Sequence, residues 1–256
     1  MASAPRTYLI TGANRGIGKG LAEQLLQRPG LNIIAAARDP AKAVASLAKL
    51  PKGEGTTLIT LKIDSNIDTD ARDAISRLPE KYSITSIDVV IANAGMSHSN
   101  GRVLDNTPEA LRDHFNVNTI APVVLFQAVY PLLKASKTGN PIFLPISTAL
   151  GSIGLQPSLS AFPSAFSPYG ASKTALNWLA VRIHLEEPWL TTWVVHPGLV
   201  LTDMVGQFAS HGIDPATLGA ITVETSVAGL LREIDAASRE KYGGTFRSYD
   251  GDVLPW

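Results

Sequence analysis

Short apolar runs alternate with amphipathic segments along almost the whole chain, and this pattern sets the predicted fold. The apolar runs are bounded by Gly, Pro, Asn or Asp, as buried strands are. They predict strands at Thr7–Ile10, Leu31–Ala37, Thr57–Ile63, Ile87–Ala92, Ile142–Ile146, Thr191–Val195 and Gly244–Ser248. Helical patterns lie between them, among them Pro40–Leu50, Thr69–Leu78, Pro108–Val129 and Val223–Ala237. The alternation predicts one α/β domain over 1–256, a doubly wound, Rossmann-like parallel sheet with helices on both faces.

Composition narrows the class of partner. The chain has 256 residues, 45% of them hydrophobic, which is enough for a substantial core. With 22 Lys and Arg against 22 Asp and Glu, a small-molecule substrate is favoured over nucleic acid or an anionic membrane. The absence of cysteine excludes disulfides, thiolate metal sites and a cysteine nucleophile. The first residues lack the apolar core of a signal peptide and no apolar stretch has the length of a membrane span, so a cytoplasmic protein is expected.

A glycine-rich turn, Thr11–Gly18, follows the first strand and opens a helix. Its spacing is G-x-x-x-G-x-G, through Gly12, Gly16 and Gly18. Glycine permits a tight turn and close approach of the backbone to a ligand, and free amides at the start of a helix favour phosphate. A tight connection without a ligand would also use glycine, but the order strand, turn, helix favours dinucleotide binding.

Arg38 follows the second strand, where dinucleotide sites carry either an acid for the adenosine ribose or an Arg for a 2′-phosphate. This strand ends at Ala37 without an acid, and Arg15 in the glycine turn offers a second cation. NADP(H) is therefore favoured over NAD(H). Asp39, directly after Arg38, leaves open that Arg38 is a solvated loop residue.

Polar residues follow several later strands, at the edge where α/β sheets bind ligands. Asp64 follows the third strand; the others are Asn93–Gly95, Ser147 with Thr148, and His196–Thr202. Ordinary turn chemistry would explain each of these equally well.

Asn118 is predicted to lie inside a helix, where Asn is unfavourable unless its side chain is used. Pro122 removes a hydrogen bond of the same helix and is expected to interrupt it. We therefore expect a distorted helix at Asn118.

Tyr169 and Lys173 stand four residues apart at the start of a long amphipathic helix, which Ser167 is expected to cap and Pro168 to begin. At this spacing both side chains lie on one face, where they continue the apolar stripe of the helix. A phenol has a pKa of about 10, and a neighbouring ammonium lowers that pKa towards the range useful for proton transfer. The same pair is common on ordinary helices, but its place on an apolar stripe favours a functional role.

Taken in order, these motifs resemble the short-chain dehydrogenase/reductase family from Tyr8 to about Thr202. The segment from Ser248 to Trp256 further resembles the sniffer and C-factor branch of carbonyl reductases, which includes norsolorinic acid ketoreductase-like enzymes. The resemblance implies that Tyr169 protonates the substrate carbonyl. It implies that Lys173 lowers the pKa of this tyrosine and binds the nicotinamide ribose, and that Asn118 anchors a water of the proton relay.

The resemblance also implies a set of cofactor contacts. These are Gly12, Asn14, Arg15, Gly16, Ile17 and Gly18 at the pyrophosphate and adenosine side, Asp64 at the adenine, Asn93, Ala94 and Gly95 at the adenosine ribose, and Pro197, Gly198, Val200 and Thr202 beside the nicotinamide carboxamide.

Two features depart from the family's pattern. The substrate-binding hydroxyl usually lies three residues before a Gly, and counting back from Gly151 gives Thr148, with Ser147 as the alternative. Because Thr is β-branched, its rotamer must suit the substrate. The spacing to the catalytic Tyr is also long, and 154–166 forms an insertion near the substrate mouth. Residues 203–221 are expected to form a mobile substrate lid.

The main hypothesis is an NADPH-dependent reductase of a ketone or aldehyde on an apolar, aromatic or polyketide-like molecule of secondary metabolism. Phe162, Phe166, Met204 and Phe208 motivate the substrate class, although ordinary loop packing explains them equally well. The alternatives are an imine reductase in alkaloid formation and a non-catalytic NADP-sensing protein. The five histidines have no metal-ligand spacing, so no metal is expected. A homodimer and a homotetramer both remain open.

Overall fold

A parallel sheet forms the centre of the protein. The computed structural model describes residues 5–98, 101–160, 166–206 and 214–256. Within these residues the main sheet has six strands: β1 Arg6–Thr11, β2 Leu31–Ala37, β3 Thr57–Lys62, β4 Val89–Ala92, β5 Ile142–Pro145 and β6 Thr191–Thr192. All neighbours are parallel and the order is β3-β2-β1-β4-β5-β6, so the winding reverses between β1 and β4. The predicted doubly wound, Rossmann-like fold is confirmed.

Helices cover both faces of this sheet. Those in the described part of the chain are α1 Gly16–Leu26, α2 Pro40–Leu47, α3 Asp70–Ile75, α4 Leu78–Tyr82, α5 Pro108–Phe115, α6 Ala121–Lys134, α7 Gln156–Leu159, α8 Ser167–Glu186, α9 Val223–Ala236 and α10 Arg239–Tyr242. Successive strand residues face opposite ways: Ile10 packs in the core beneath α1 and α9, whereas Leu9 packs in the core beneath α3 and α6. This alternation explains why the strands are apolar throughout.

The predicted sixth strand, Thr191–Val195, is not continuous. After β6 the chain passes through Trp193 and becomes β7 Val194–His196, which pairs in parallel with β8 Phe246–Ser248 in a separate two-stranded sheet. The amide of Val194 donates to Thr245 O at 3.1 Å, while Ile146 still bridges to Val195 and the amide of Ser147 donates to Val195 O at 2.8 Å. β7 therefore stays beside the continuation of β5 and gains β8 as a further partner.

The predicted helix Pro108–Val129 is longer than expected and contains a π turn. Residues 116–120 form this turn, in which the amide of Ala121 donates to Asn116 O. The distortion predicted at Asn118 is confirmed. Pro122 lies in the first turn of α6 and has no amide hydrogen to donate, so the expected interruption takes the form of the π turn directly before it, after which the helical run continues to Lys134.

The same helical run, Pro108–Lys134, has 27 residues and by length and composition alone could cross a membrane, contrary to the sequence-based expectation. Core helices of soluble proteins pass the same test. Leu125, Val129 and Leu133 are buried against the sheet, and the polar side chain of Asn118 is buried with them. We interpret the run as a core helix on these contacts.

The predicted insertion and lid are described only in part. Phe162 and Phe208 lie outside the described residues, as do 161–165 and 207–213. The two ends of the lid segment meet, because the amide of Leu201 donates to Ile221 O at 2.9 Å and the amide of Ile221 donates to Leu199 O at 2.8 Å. Backbone hydrogen bonds thus hold the two ends of the lid segment together. The mobility of the lid stays a prediction.

Candidate active site

The glycine turn is locked to the loop after β4. A Cβ added at Gly18 would lie 2.4 Å from Gly12 O and 2.5 Å from Nδ2 of Asn93, so only glycine fits there. Nδ2 of Asn93 donates to Thr11 O at 2.9 Å. Oγ1 of Thr11 accepts from the amides of Asn93 and Ala94 at 3.1 and 3.0 Å. The structure thus brings two predicted cofactor segments together at one edge of the sheet.

The first turn of α1 fits a phosphate. No side chain caps this helix, and its first turn contains no acid. The amides of Ile17 and Gly18 therefore lack the partner that a capping side chain would provide. Gly16, with φ +52°, allows the chain to enter the helix in this way. Asn14 lies in the turn itself, before the helix begins.

The two predicted 2′-phosphate ligands differ in their surroundings. Arg15 forms an exposed ion pair with Asp203, with Nη1 3.0 Å from Oδ2, at the start of the lid. Arg38 is exposed and pairs with no carboxylate among the described residues. Asp39 caps α2 by accepting from the amide of Ala41 at 3.1 Å, so this acid has a structural role. Arg38 is therefore the cation available to an anionic ligand.

Asp64 borders a pocket between the ends of β1, β3 and β4. The pocket is open to solvent, has a cavity volume of only ≈ 20 Å³ and is lined by mainly small and apolar residues, among them Thr11, Ile63, Ala92 and Ala94. Oδ1 of Asp64 accepts from the amide of Asn66 at 3.0 Å and so shapes the loop. A flat ligand in this pocket would contact apolar walls and would have the carboxylate of Asp64 at the rim.

Lys173 lies buried at the centre of the site. Its Nζ donates to Ile146 O at 2.7 Å, and only 3% of the residue is exposed. Burial lowers the pKa of this ammonium to about 8. A Cβ on Gly95 would lie 3.5 Å from Nζ of Lys173 and 3.2 Å from Oδ1 of Asn118, so the β4 loop reaches both side chains.

Tyr169 lies on the first turn of α8, above Lys173. The distance from Nζ to the centroid of the phenol ring is 5.9 Å. Burial raises the pKa of Tyr169 to about 12. The pKa is thus shifted in the opposite direction to the lowering expected from Lys173, because desolvation of the phenolate is the dominant effect in this structure. The phenol is held fully protonated at neutral pH.

Ser167 does not cap α8 as predicted. The helix already includes Ser167, and no side chain bonds to its first amides. Oγ of Ser167 donates instead to Gly101 O at 3.1 Å, and Gly101 also bridges to Phe166. The loop after β4 is thereby attached to the beginning of the helix that carries Tyr169.

Asn118 joins the β4 loop to α8. Its Nδ2 donates to Met96 O at 2.9 Å and to Oγ of Ser172 at 3.0 Å, and its Oδ1 accepts from the amide of Met96 at 2.9 Å. Both amide hydrogens are thus engaged within the protein. The implied anchoring of a water by Asn118 stays a prediction.

Ser147 and Thr148 have different roles. Oγ of Ser147 donates to Oδ1 of Asn177 at 2.5 Å and is buried beneath α8. Oγ1 of Thr148 accepts from the amide of Leu150 at 3.3 Å, which leaves its own hydrogen free to donate. Thr148 is the hydroxyl that can serve a substrate oxygen.

Of the residues predicted beside the nicotinamide, Thr202 borders the glycine turn. A Cβ on Gly16 would lie 3.3 Å from Cγ2 of Thr202, and Gly198 has φ +87°. Pro197 O accepts from Oγ of Ser226 at 2.6 Å, and Val200 is buried. No cluster of three or more potential metal ligands exists in the part of the chain that the structure describes.

Sequence reasoning missed several residues that support this site. Ser172 accepts from Asn118 and donates to Tyr169 O at 2.7 Å, and the ring of His114 lies 6.5 Å from that of Tyr169. The spacing of the sequence could have indicated two of the supporting residues. His114 stands four residues before Asn118, and Asn177 is a polar residue four after Lys173 on a buried stripe.

Comparisons with known proteins agree with this geometry. Residues 6–212 match the family described as short chain dehydrogenase. The norsolorinic acid ketoreductase of Aspergillus parasiticus is 39% identical over 97% of this chain and 90% of its own length. The NADPH-bound carbonyl reductase from chicken fatty liver is 28% identical, with a TM-score of 0.84 over 99% of this chain and 100% of that one. The Sniffer carbonyl reductase of D. melanogaster, 24% identical with a TM-score of 0.79 over 99% and 100%, shares the fold. The chain belongs to the short-chain dehydrogenase/reductase family.

Proposed function

We propose that this protein is an NADPH-dependent reductase of ketones or aldehydes in which Tyr169 protonates the carbonyl oxygen. The observation that carries the proposal is geometric: the phenol of Tyr169 lies above the ammonium of Lys173, with Nζ 5.9 Å from the ring centroid. Reduction requires a proton donor, and such a phenol retains its proton at neutral pH.

The residues present fit NADPH. The uncapped start of α1 would receive the pyrophosphate, the pocket beside Asp64 the adenine, and the unpaired Arg38 the 2′-phosphate. The nicotinamide supplies the hydride when it is bound. Preference for NADP(H) over NAD(H) follows from Arg38 together with the use of Asp39 in capping α2.

Two protein groups would act on the substrate oxygen, and a third would act on the proton donor. The free hydrogen of Thr148 would donate to it and hold the carbonyl in line with the phenol of Tyr169. Lys173, charged below its pKa of about 8, would stabilise negative charge as the phenol gives up its proton. Ser147 is bonded to Asn177 and would fix the loop only.

We extend the proposal to an apolar, polyketide-like aromatic ketone. The relationship to norsolorinic acid ketoreductases supports this class. So do Leu201, 47% exposed at the base of the lid, and the half-buried Met204 next to it. We propose that the protein acts in the cytoplasm, in secondary metabolism. Trp178 and Leu185, exposed seven residues apart on α8, are compatible with self-association as a homodimer or homotetramer.

The test is NADPH oxidation against a panel of aromatic ketones, aldehydes and cyclic imines, with Tyr169→Phe as the decisive variant. We expect turnover of ketones that Tyr169→Phe abolishes while NADPH binding is retained. Undiminished turnover by the variant would refute the proton-donor role. Turnover of imines alone would identify an imine reductase. Tight NADPH binding without turnover of any compound would favour the non-catalytic sensing protein.

A further inference from the structure

The loop that carries Thr148 packs directly on α8. A Cβ on Gly151 would lie 2.9 Å from Cβ of Lys173, so this loop fits only with glycine against the lysine stem. Gly151 O accepts from Oγ1 of Thr174 at 2.9 Å and from Nδ2 of Asn177 at 3.2 Å. We call residues 148–151 the hydroxyl loop. Its inner side is therefore held by α8.

The last two residues of the sequence hold the outer side. Oγ of Ser152, which is fully buried, donates to Pro255 O at 2.7 Å. The amide of Gly154 donates to Trp256 O at 2.7 Å. A Cβ on Gly154 would lie 3.0 Å from Trp256 O and 3.1 Å from Cβ of Pro255, so the two backbones touch. These contacts reach the chain one and three residues after the hydroxyl loop.

This tail is itself fixed to the second sheet. The amide of Leu254 donates to Phe246 O at 2.8 Å, and Arg247 bridges to Val253 in antiparallel fashion. The ring of Trp256 stacks on Phe246, with centroids 5.6 Å apart and planes at 29°. The tail, held by these contacts, thus presents two carbonyls to the chain that follows the hydroxyl loop.

We propose that Pro255 and Trp256 are positioning residues of the active site. Their carbonyls fix Ser152 and Gly154, and so hold the Thr148 hydroxyl in line with Tyr169 and Lys173. The inference rests on the proposed function for its catalytic consequence. The anchoring itself can be measured without turnover.

The experiment compares the unmodified protein with a chain ending at Leu254, with Trp256→Ala and with Ser152→Ala. Ser158→Ala is the matched control, because its exposed hydroxyl bonds only to the nearby Leu155 O. Hydrogen exchange is followed in a peptide over 148–156 and in one over 11–26, together with NADPH affinity, kcat and KM.

We expect the shortened chain and Ser152→Ala to exchange amides over 148–156 about tenfold faster, with 11–26 unchanged. For the shortened chain, kcat should fall about tenfold or more, because small displacements of reacting groups are costly. NADPH affinity should stay within about twofold, because the proposed ligands of its pyrophosphate, adenine and 2′-phosphate follow other strands. Trp256→Ala should give an exchange rate and a kcat between those of the unmodified protein and the shortened chain. This variant keeps the backbone carbonyl of residue 256 and loses the ring that stacks on Phe246.

Two results would overturn the proposal. One is exchange over 148–156 that matches that of Ser158→Ala. The other is a uniform increase across both peptides, which would indicate general destabilisation. If the unmodified protein reduces no carbonyl, the proposed function fails, while the exchange comparison still decides whether Pro255 and Trp256 anchor the loop.

Discussion

Nζ of Lys173 lies 5.9 Å from the centroid of the Tyr169 ring and donates to Ile146 O at 2.7 Å. The ammonium therefore forms its hydrogen bond with a backbone carbonyl directly after β5. It lies beneath the phenol ring of Tyr169. Lys173 is buried and Tyr169 is half-buried, and the loss of water around each group disfavours its charged form. This explains why the pKa of Tyr169 is raised to about 12 and that of Lys173 lowered to about 8.

The lowered pKa of Lys173 predicts a pH dependence of stability. Between pH 8 and 10.5 the folded protein has lost this proton, whereas the unfolded chain keeps it. Because the unfolded state binds more protons in this window, the free energy of unfolding should rise with pH. Relative to Lys173→Met, the gain from pH 8 to about 10 should be on the order of 2 kcal/mol. Urea unfolding of both proteins at several pH values measures it, and parallel curves would contradict the assignment.

The different partners of Ser147 and Thr148 predict separable effects. Thr148→Val should lower kcat about a hundredfold, the usual cost of one lost donor to a reacting oxygen, while Thr148→Ser retains most activity. Ser147→Ala leaves Oδ1 of the buried Asn177 without its donor and should cost about 1–3 kcal/mol of stability. Steady-state kinetics and thermal unfolding distinguish the two. A larger loss of kcat in Ser147→Ala than in Thr148→Val would reverse the assignment.

Periodicity made the sheet and the face of α8 predictable. Strand positions followed from short apolar runs, and Tyr169 and Lys173 fell on one face because four residues span about one helical turn. The π turn at Asn118 was also foreseeable, since Asn in a helix interior needs a use. These features depend on residues close together in the sequence.

Other features depend on distant contacts that no local pattern encodes. The bond from Ser147 to Asn177 spans 30 residues, and that from Ser152 to Pro255 spans 103. The raised pKa of Tyr169 reflects how much water the fold removes, which spacing alone does not specify. The break between β6 and β7 likewise required knowing that β8 would offer a new partner.

The close packing around Gly18 predicts that one added methyl group weakens both NADPH binding and stability. In Gly18→Ala the new Cβ would lie 2.4 Å from Gly12 O and 2.5 Å from Nδ2 of Asn93. Moving Asn93 would disturb both the glycine turn and the β4 loop, so NADPH affinity should fall about tenfold or more, with a loss of about 1–3 kcal/mol in stability. Fluorescence titration and thermal unfolding measure these effects. Lys19→Ala is the control, and equal behaviour of the two variants would be inconsistent with the packing argument.

The position of the unpaired Arg38 predicts that this residue determines the preference for NADPH over NADH. A hydrogen bond to a charged group contributes about 1.5–3 kcal/mol, so Arg38→Gln should weaken NADPH binding about tenfold to a hundredfold and leave NADH binding nearly unchanged. Arg15→Gln should have a smaller effect, because Arg15 is already paired with Asp203.

Lys42→Gln removes a neighbouring exposed cation and controls for general electrostatic attraction. Dissociation constants for both cofactors, measured at fixed ionic strength, make the comparison. If Arg38→Gln weakened NADH and NADPH equally, Arg38 would be a general surface cation. If Arg15→Gln instead produced the larger selective loss, the ion pair with Asp203 would have to open on binding, and the lid would be coupled to the 2′-phosphate.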